Sequence, residues 1–102
     1  MNNCNVIASA EFCTMVDYNL QHIKFISPSY VESISVMISY FIIVLEKFPY
    51  IFPSFVLPTY PTPLRKIVIA KRYLLLYQIT NNTVELLYFV DGRRSPENYL
   101  LY

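Results

Sequence analysis

One glycine in 102 residues, one histidine, two cysteines and no tryptophan narrow what this chain can do. Phosphate-cradling loops need several glycines close together, so dinucleotide fingerprints and P-loops are excluded. Cys4 and Cys13 are too far apart for a CxxC site, and no third cysteine completes a metal set. They read as two reduced thiols of a cytoplasmic protein. The single histidine, His22, falls on the polar face of a predicted helix and reads as a surface residue. No metal and no cofactor are expected. The opening Met-Asn-Asn-Cys-Asn lacks a basic stretch ahead of a long apolar run, so no secretory signal is expected. The sequon at Asn81-Asn82-Thr83 is accordingly read as chance.

Apolar residues are what the chain has in abundance. It is 55% hydrophobic and 17% aromatic with 15% charged residues, which excludes intrinsic disorder. The length suits one domain spanning residues 1–102, with a real core. The densest apolar run, Val36 to Leu45, is 10 residues. A spanning helix needs about 20, so no membrane contact is expected. The net charge of +1 hides an asymmetry. Residues 1–64 hold two lysines against four acids, net −2, whereas residues 65–102 hold six basic residues against three acids, net +3. Lys66, Lys71, Arg72, Arg93 and Arg94, with Arg65, make that half a candidate surface for an acidic partner or a phosphate backbone.

Periodicity organises the chain. Asn5-Val6-Ile7-Ala8 reads as an edge strand. Ser9 fits a helix N-cap, with Glu11 in the first turn where the helix dipole favours negative charge. Phe12, Val16, Leu20 and Ile23 form one stripe of a helix ending near Ile26. Pro28 suits the first turn of a second helix, Ser29 to Glu32 fits a capping box, and that helix runs to about Lys47. It is apolar almost all round, so it should be covered on more than one side. Five prolines within residues 48–63 forbid regular structure there, yet the aromatic residues between them predict an ordered loop laid against the domain. Three strands follow, over Leu64–Ala70, Tyr73–Thr80 and Thr83–Val90. Tyr73–Thr80 is apolar on both faces and belongs in the middle of a sheet. Asn81-Asn82 suits a type I′ turn. Ser95-Pro96-Glu97 predicts a short terminal helix or turn through Tyr99. The expected class is α+β, in the order β-α-α-β-β-β, with a helical hairpin packed on a small antiparallel sheet.

Four local patterns resemble the RelE/ParE toxins of bacterial toxin–antitoxin systems. They are Ser9-Ala10-Glu11 after a short strand, Leu45-Glu46-Lys47-Phe48-Pro49 closing the second helix, Tyr73-Leu74-Leu75-Leu76-Tyr77-Gln78-Ile79 in the central strand, and Val90-Asp91-Gly92-Arg93-Arg94 leaving the last strand. The resemblance covers nearly the whole chain. It implies a toxin held inactive by a cognate antitoxin that wraps a helix or strand over apolar surface. The apolar second helix, through Ile38, Phe41 and Ile42, is the expected antitoxin site. The implied assembly is a toxin–antitoxin hetero-oligomer or a homodimer.

Two targets follow from the resemblance. The RelE branch cleaves mRNA on the ribosome, and there Arg65, Arg94 (or Arg93) and Tyr99 would stand at the catalytic positions. The central-strand arginine of that branch falls on Leu74, which cannot stabilise a developing phosphorane charge. The ParE branch has an apolar residue there and poisons DNA gyrase by binding, with Arg65, Lys66, Lys71, Arg72, Arg93 and Arg94 as target-binding residues. Leu74 favours the ParE-like expectation: growth inhibition without an enzymatic step. A toxin-fold module without toxicity is the third expectation.

Overall fold

The structure, a computed structural model, describes residues 4–21, 23–56 and 60–92. The elements run β1 (Asn5–Ala8), α1 (Ala10–Leu20), α2 (Ile23–Ile26), α3 (Pro28–Lys47), β2 (Ser54–Phe55), β3 (Leu64–Ile69), β4 (Tyr73–Thr80) and β5 (Thr83–Asp91). The class is α+β. One five-stranded sheet in the order β1-β5-β4-β3-β2 carries the helices.

The sheet is mixed and not antiparallel throughout, because β1 pairs parallel to β5. The helices intervene between these two strands, so the chain can return to lay β5 beside β1 in the same direction. A second departure is the split of the first helix. α1 stops at Leu20, and Ile23, expected on its stripe, begins α2. The buried face of α1 is Phe12, Met15 and Leu20, which brings in Met15. A third is the proline-rich stretch, where Ser54–Phe55 adds a two-residue edge strand to β3. Prolines are tolerated beside such an edge because the donors they lack would face outward.

Helix starts follow local chemistry. The Ser9 hydroxyl accepts from the Phe12 N–H at 3.0 Å, as an N-cap should. α3 begins at Pro28, with Ser27 at the cap position making no side-chain bond, so the capping box expected at Ser29–Glu32 does not form. Pro28 lacks the orphan N–H of an N1 residue and fixes its φ for helix, which starts α3 one position ahead of Ser29.

β4 sits between β5 and β3, and Tyr73 to Tyr77 are five consecutive buried residues. Both faces of this strand are therefore covered, as its sequence predicts. Asn81 and Asn82, at φ 48° and 63°, make the β4–β5 turn with the positive φ values of a type I′ hairpin. β3 ends at Ile69, one residue earlier than its apolar run suggests, because Ala70 and Lys71 turn the chain at φ 55° and 58°. Alanine is disfavoured there, its Cβ crowding the carbonyl. Ala70→Asn or Ala70→Gly is expected to raise stability by about 0.5–1 kcal/mol, read as a higher denaturant midpoint at unchanged slope.

The only glycine closes the other end of the hairpin. The Gly92 N–H donates to the Arg72 carbonyl at 2.6 Å. A Cβ at this position would stand 2.8 Å from that same oxygen, so only glycine allows the approach without moving backbone. The close contact holds the strand end from which the chain continues to Arg93 and Arg94.

α1 lies on β5, where Phe12 meets Phe89 edge-on at 6.1 Å and Phe89 stacks on Tyr73 at 5.0 Å. α3 packs against α2, β1 and β3. Its fully buried residues are Ile34 and Leu45, which leaves the helix far less covered than its composition predicts. At 20 residues it is long and apolar enough to cross a membrane by length and composition, a longer apolar helix than the ten-residue run suggests. Its charge-free stretch, Ser33 to Leu45, is 13 residues. That is about 20 Å of helix against the roughly 30 Å of a bilayer core.

Candidate functional site

Strand register sorts the sheet into two faces. Ile67, Leu75, Tyr77, Val84, Leu86 and Phe89 point to the helices. Lys66, Val68, Leu74, Leu76, Gln78, Glu85, Tyr88 and Val90 point the other way. A bulge at Leu76/Tyr77 leaves Leu87 without a β4 partner, and it sets Tyr88 opposite Leu76 on this second face. Segment 60–62 crosses part of the face. Tyr60 meets Tyr88 edge-on at 6.1 Å, and the Thr62 hydroxyl lies 3.3 Å from Gln78 Oε1. Gln78 in turn donates to Glu85 at 3.1 Å. Burial, with help from the Glu85 and Glu11 carboxylates, raises the Tyr60 phenol above its usual pKa.

The middle of this second face is hydrocarbon. Leu64, Leu76 and Val90 are buried, and Leu74 is 9% exposed. Lys66 is its nearest cation in the strand register, beside Leu76. Leucine and valine offer neither a proton nor a charge to a reacting phosphate.

Arg65, the catalytic candidate, faces the helix side. Its guanidinium donates to the Phe52 carbonyl at 2.6 Å and to the Tyr50 carbonyl at 3.3 Å, and it lies 5.1 Å from the centre of the Tyr50 ring. It fastens the proline-rich segment to the sheet. Opposite it in the ladder, Tyr77 donates to the Pro49 carbonyl at 2.7 Å. Arg72 is also engaged, 3.5 Å from Asp91 and stacked over Tyr73 at 5.1 Å. Lys71 is exposed at the β3–β4 turn. Arg93, Arg94 and Tyr99, and the terminal helix expected after Pro96, lie outside the described residues. The predicted basic set is thus not one patch among the described residues: Lys66 lies on the second face, Lys71 at the turn, and Arg65 behind. No cluster of metal-ligating side chains occurs among the described residues.

The helical side carries a groove that the sequence reading missed. α1 leans on β5 while α3 leans on β1 and β3, and the space between them stays open. One end, about 420 Å³, is lined by Val16, Asp17, Leu20, Gln21, Lys24, Val31 and Ser35. The adjoining stretch, about 290 Å³, is lined by Phe12, Cys13, Val16, Asp17, Ser35 and Ile38. Of the residues expected to meet a partner, Ile38 reaches this groove. Phe41 and Ile42 are half-buried against the core, Phe41 meeting Phe52 at 5.8 Å. The separation of α1 from α3 depends on how each helix sits on the sheet, which period alone does not encode.

The chain matches no protein-family model and no curated protein sequence.

Proposed function

We propose that this chain is the toxin of a type II toxin–antitoxin system. It inhibits growth in the cytoplasm by binding its target, as ParE-like toxins bind DNA gyrase, until an antitoxin neutralises it. The observation that carries the binding reading is Arg65, which is turned to the helix side and tied to backbone carbonyls, while Leu74, Leu76 and Val90 on the second sheet face are buried hydrocarbon. Phosphodiester cleavage needs a base, an acid and cations around the phosphate, and this arrangement offers Lys66 alone among the described residues. The element order is compatible with the family reading: a strand, then helices, then the antiparallel run β3-β4-β5, with the short α2 and the two-residue β2 as additions to the expected order.

The antitoxin is proposed to lay an apolar helix or strand into the groove between α1 and α3. Phe12, Val16 and Ile38 supply its apolar floor, and Asp17 and Lys24 offer charged contacts at its rim. Inducible expression with and without the neighbouring reading frame tests the reading. Growth arrest with induced DNA damage and intact mRNA, relieved by the neighbour, is the expected result. Cleavage of mRNA on the ribosome, abolished by Arg94→Ala, would replace it with the nuclease reading. Unimpaired growth would leave a non-toxic binding module.

A further inference from the structure

α3 has three sides. Ile34 and Leu45 point into the core, while Val31, Ser35 and Ile38 line the groove with α1. The third side is opposite the core and carries Glu32, Val36, Ser39, Ile43 and Lys47, with Tyr40 at its margin. At about 100° per residue those first five residues fall within about 80° of one another. All six are exposed, with Val36 at 62%, Tyr40 at 60% and Ile43 at 56%. Neither Glu32 nor Lys47 makes an ion pair among the described residues.

We propose that this stripe is the interface of a two-fold homodimer, in which α3 pairs antiparallel with α3 of a second copy. The stripe is complementary to itself. Reversed about a point between Ser39 and Tyr40, it sets Val36 against Ile43 of the second copy and Ile43 against its Val36. The same register sets Glu32 against Lys47 of the second copy at both ends. A two-fold axis requires this kind of reciprocity, each residue meeting the mate that meets it. Opposite charges equidistant from an apolar centre satisfy it, and they select the antiparallel arrangement over the parallel one, which would set Glu32 beside Glu32. An anionic lipid surface would instead be served by cations at both ends, and Glu32 opposes that. The groove lies on a different side of α3, so the dimer and the antitoxin do not compete for these residues. The proposal stands or falls separately from the toxin reading.

Sedimentation velocity on the full-length chain, made by cell-free synthesis without its neighbour, tests this. One helix pair is a small interface, so a monomer–dimer equilibrium at roughly micromolar concentration is expected. Glu32→Lys alone and Lys47→Glu alone each turn two attractions into two repulsions and should weaken the dimer about tenfold. The double variant Glu32→Lys/Lys47→Glu restores the pairing with reversed polarity and should recover the parent dimer. Both side chains are exposed, so circular dichroism should not change. A monomer up to roughly 100 μM, or a dimer indifferent to both single reversals, overturns the proposal. So does a monomer that sediments with phosphatidylglycerol vesicles and loses this on Val36→Asp, which would assign the stripe to a lipid surface.

Discussion

Phe89→Ala is expected to lower stability by about 3–5 kcal/mol, seen as a large fall in the urea midpoint of unfolding. The magnitude follows from where the ring sits. Phe89 is fully buried on β5, edge-on to Phe12 of α1 and stacked on Tyr73 of β4. Removing it leaves a cavity where helix and sheet meet and abolishes two ring contacts at once. A domain of this size has roughly 5–15 kcal/mol in all, so the loss is a large share of the total. Asn19 still donates to the Phe89 carbonyl at 2.9 Å, a tie that survives the change. It holds α1 to the backbone of β5 but cannot fill the space. Because α1 forms one wall of the groove, loosening it should also weaken any partner bound there. Phe89→Leu, which retains most of the volume, should be several-fold milder and leave that binding largely intact.

The β half of the molecule was legible because its signals are local. The unbroken apolar run from Tyr73 to Tyr77 marks a central strand covered on both faces, and Asn81-Asn82 supplies a turn that only a few residue types can make. The Ser9 cap was legible for the same reason: its bond reaches three residues along the chain. What escaped was set by distant contacts. The parallel β1–β5 pairing joins residues nearly eighty positions apart, and no local pattern announces its direction. The placement of Arg65 was not legible for a related reason. Adjacent strand residues face opposite ways, and which of Arg65 and Lys66 looks toward the helices depends on register with Tyr77. Sequence presented two cations side by side. Register makes Arg65 a fastener for the proline-rich segment and puts Lys66 on the other face. α3 shows the converse limit. Its apolar composition announced a helix in need of cover, but the division into core side, groove side and outward stripe required its position on the sheet.

Tyr77→Phe is expected to cost about 1–3 kcal/mol and to flatten the loss of stability at high pH. The Tyr77 hydroxyl donates to the Pro49 carbonyl at 2.7 Å, and Pro49 is itself buried. Phenylalanine keeps the ring and leaves that carbonyl without its donor, in a place where water does not replace it. Burial pushes the phenol up to about 12 from 10.0, the nearby Arg65 guanidinium pulling weakly the other way. The folded chain therefore holds this proton more tightly than the unfolded chain does. Its contribution is fully present below pH 10 and is lost as the pH rises through about 12. Urea midpoints taken from pH 8 to pH 11.5 should fall for the parent protein and fall much less for Tyr77→Phe. Arg65 and Tyr77 are cross-strand neighbours that grip the same segment, through the carbonyls of Pro49, Tyr50 and Phe52. Once one grip is lost the segment can lift and the other has less to hold, so Arg65→Met and Tyr77→Phe together should cost less than the sum of the two. Additive losses would mean that the two residues hold the segment independently. A toxicity that survives Arg65→Met, in a chain still folded at the assay temperature, would separate this structural arginine from any role in catalysis.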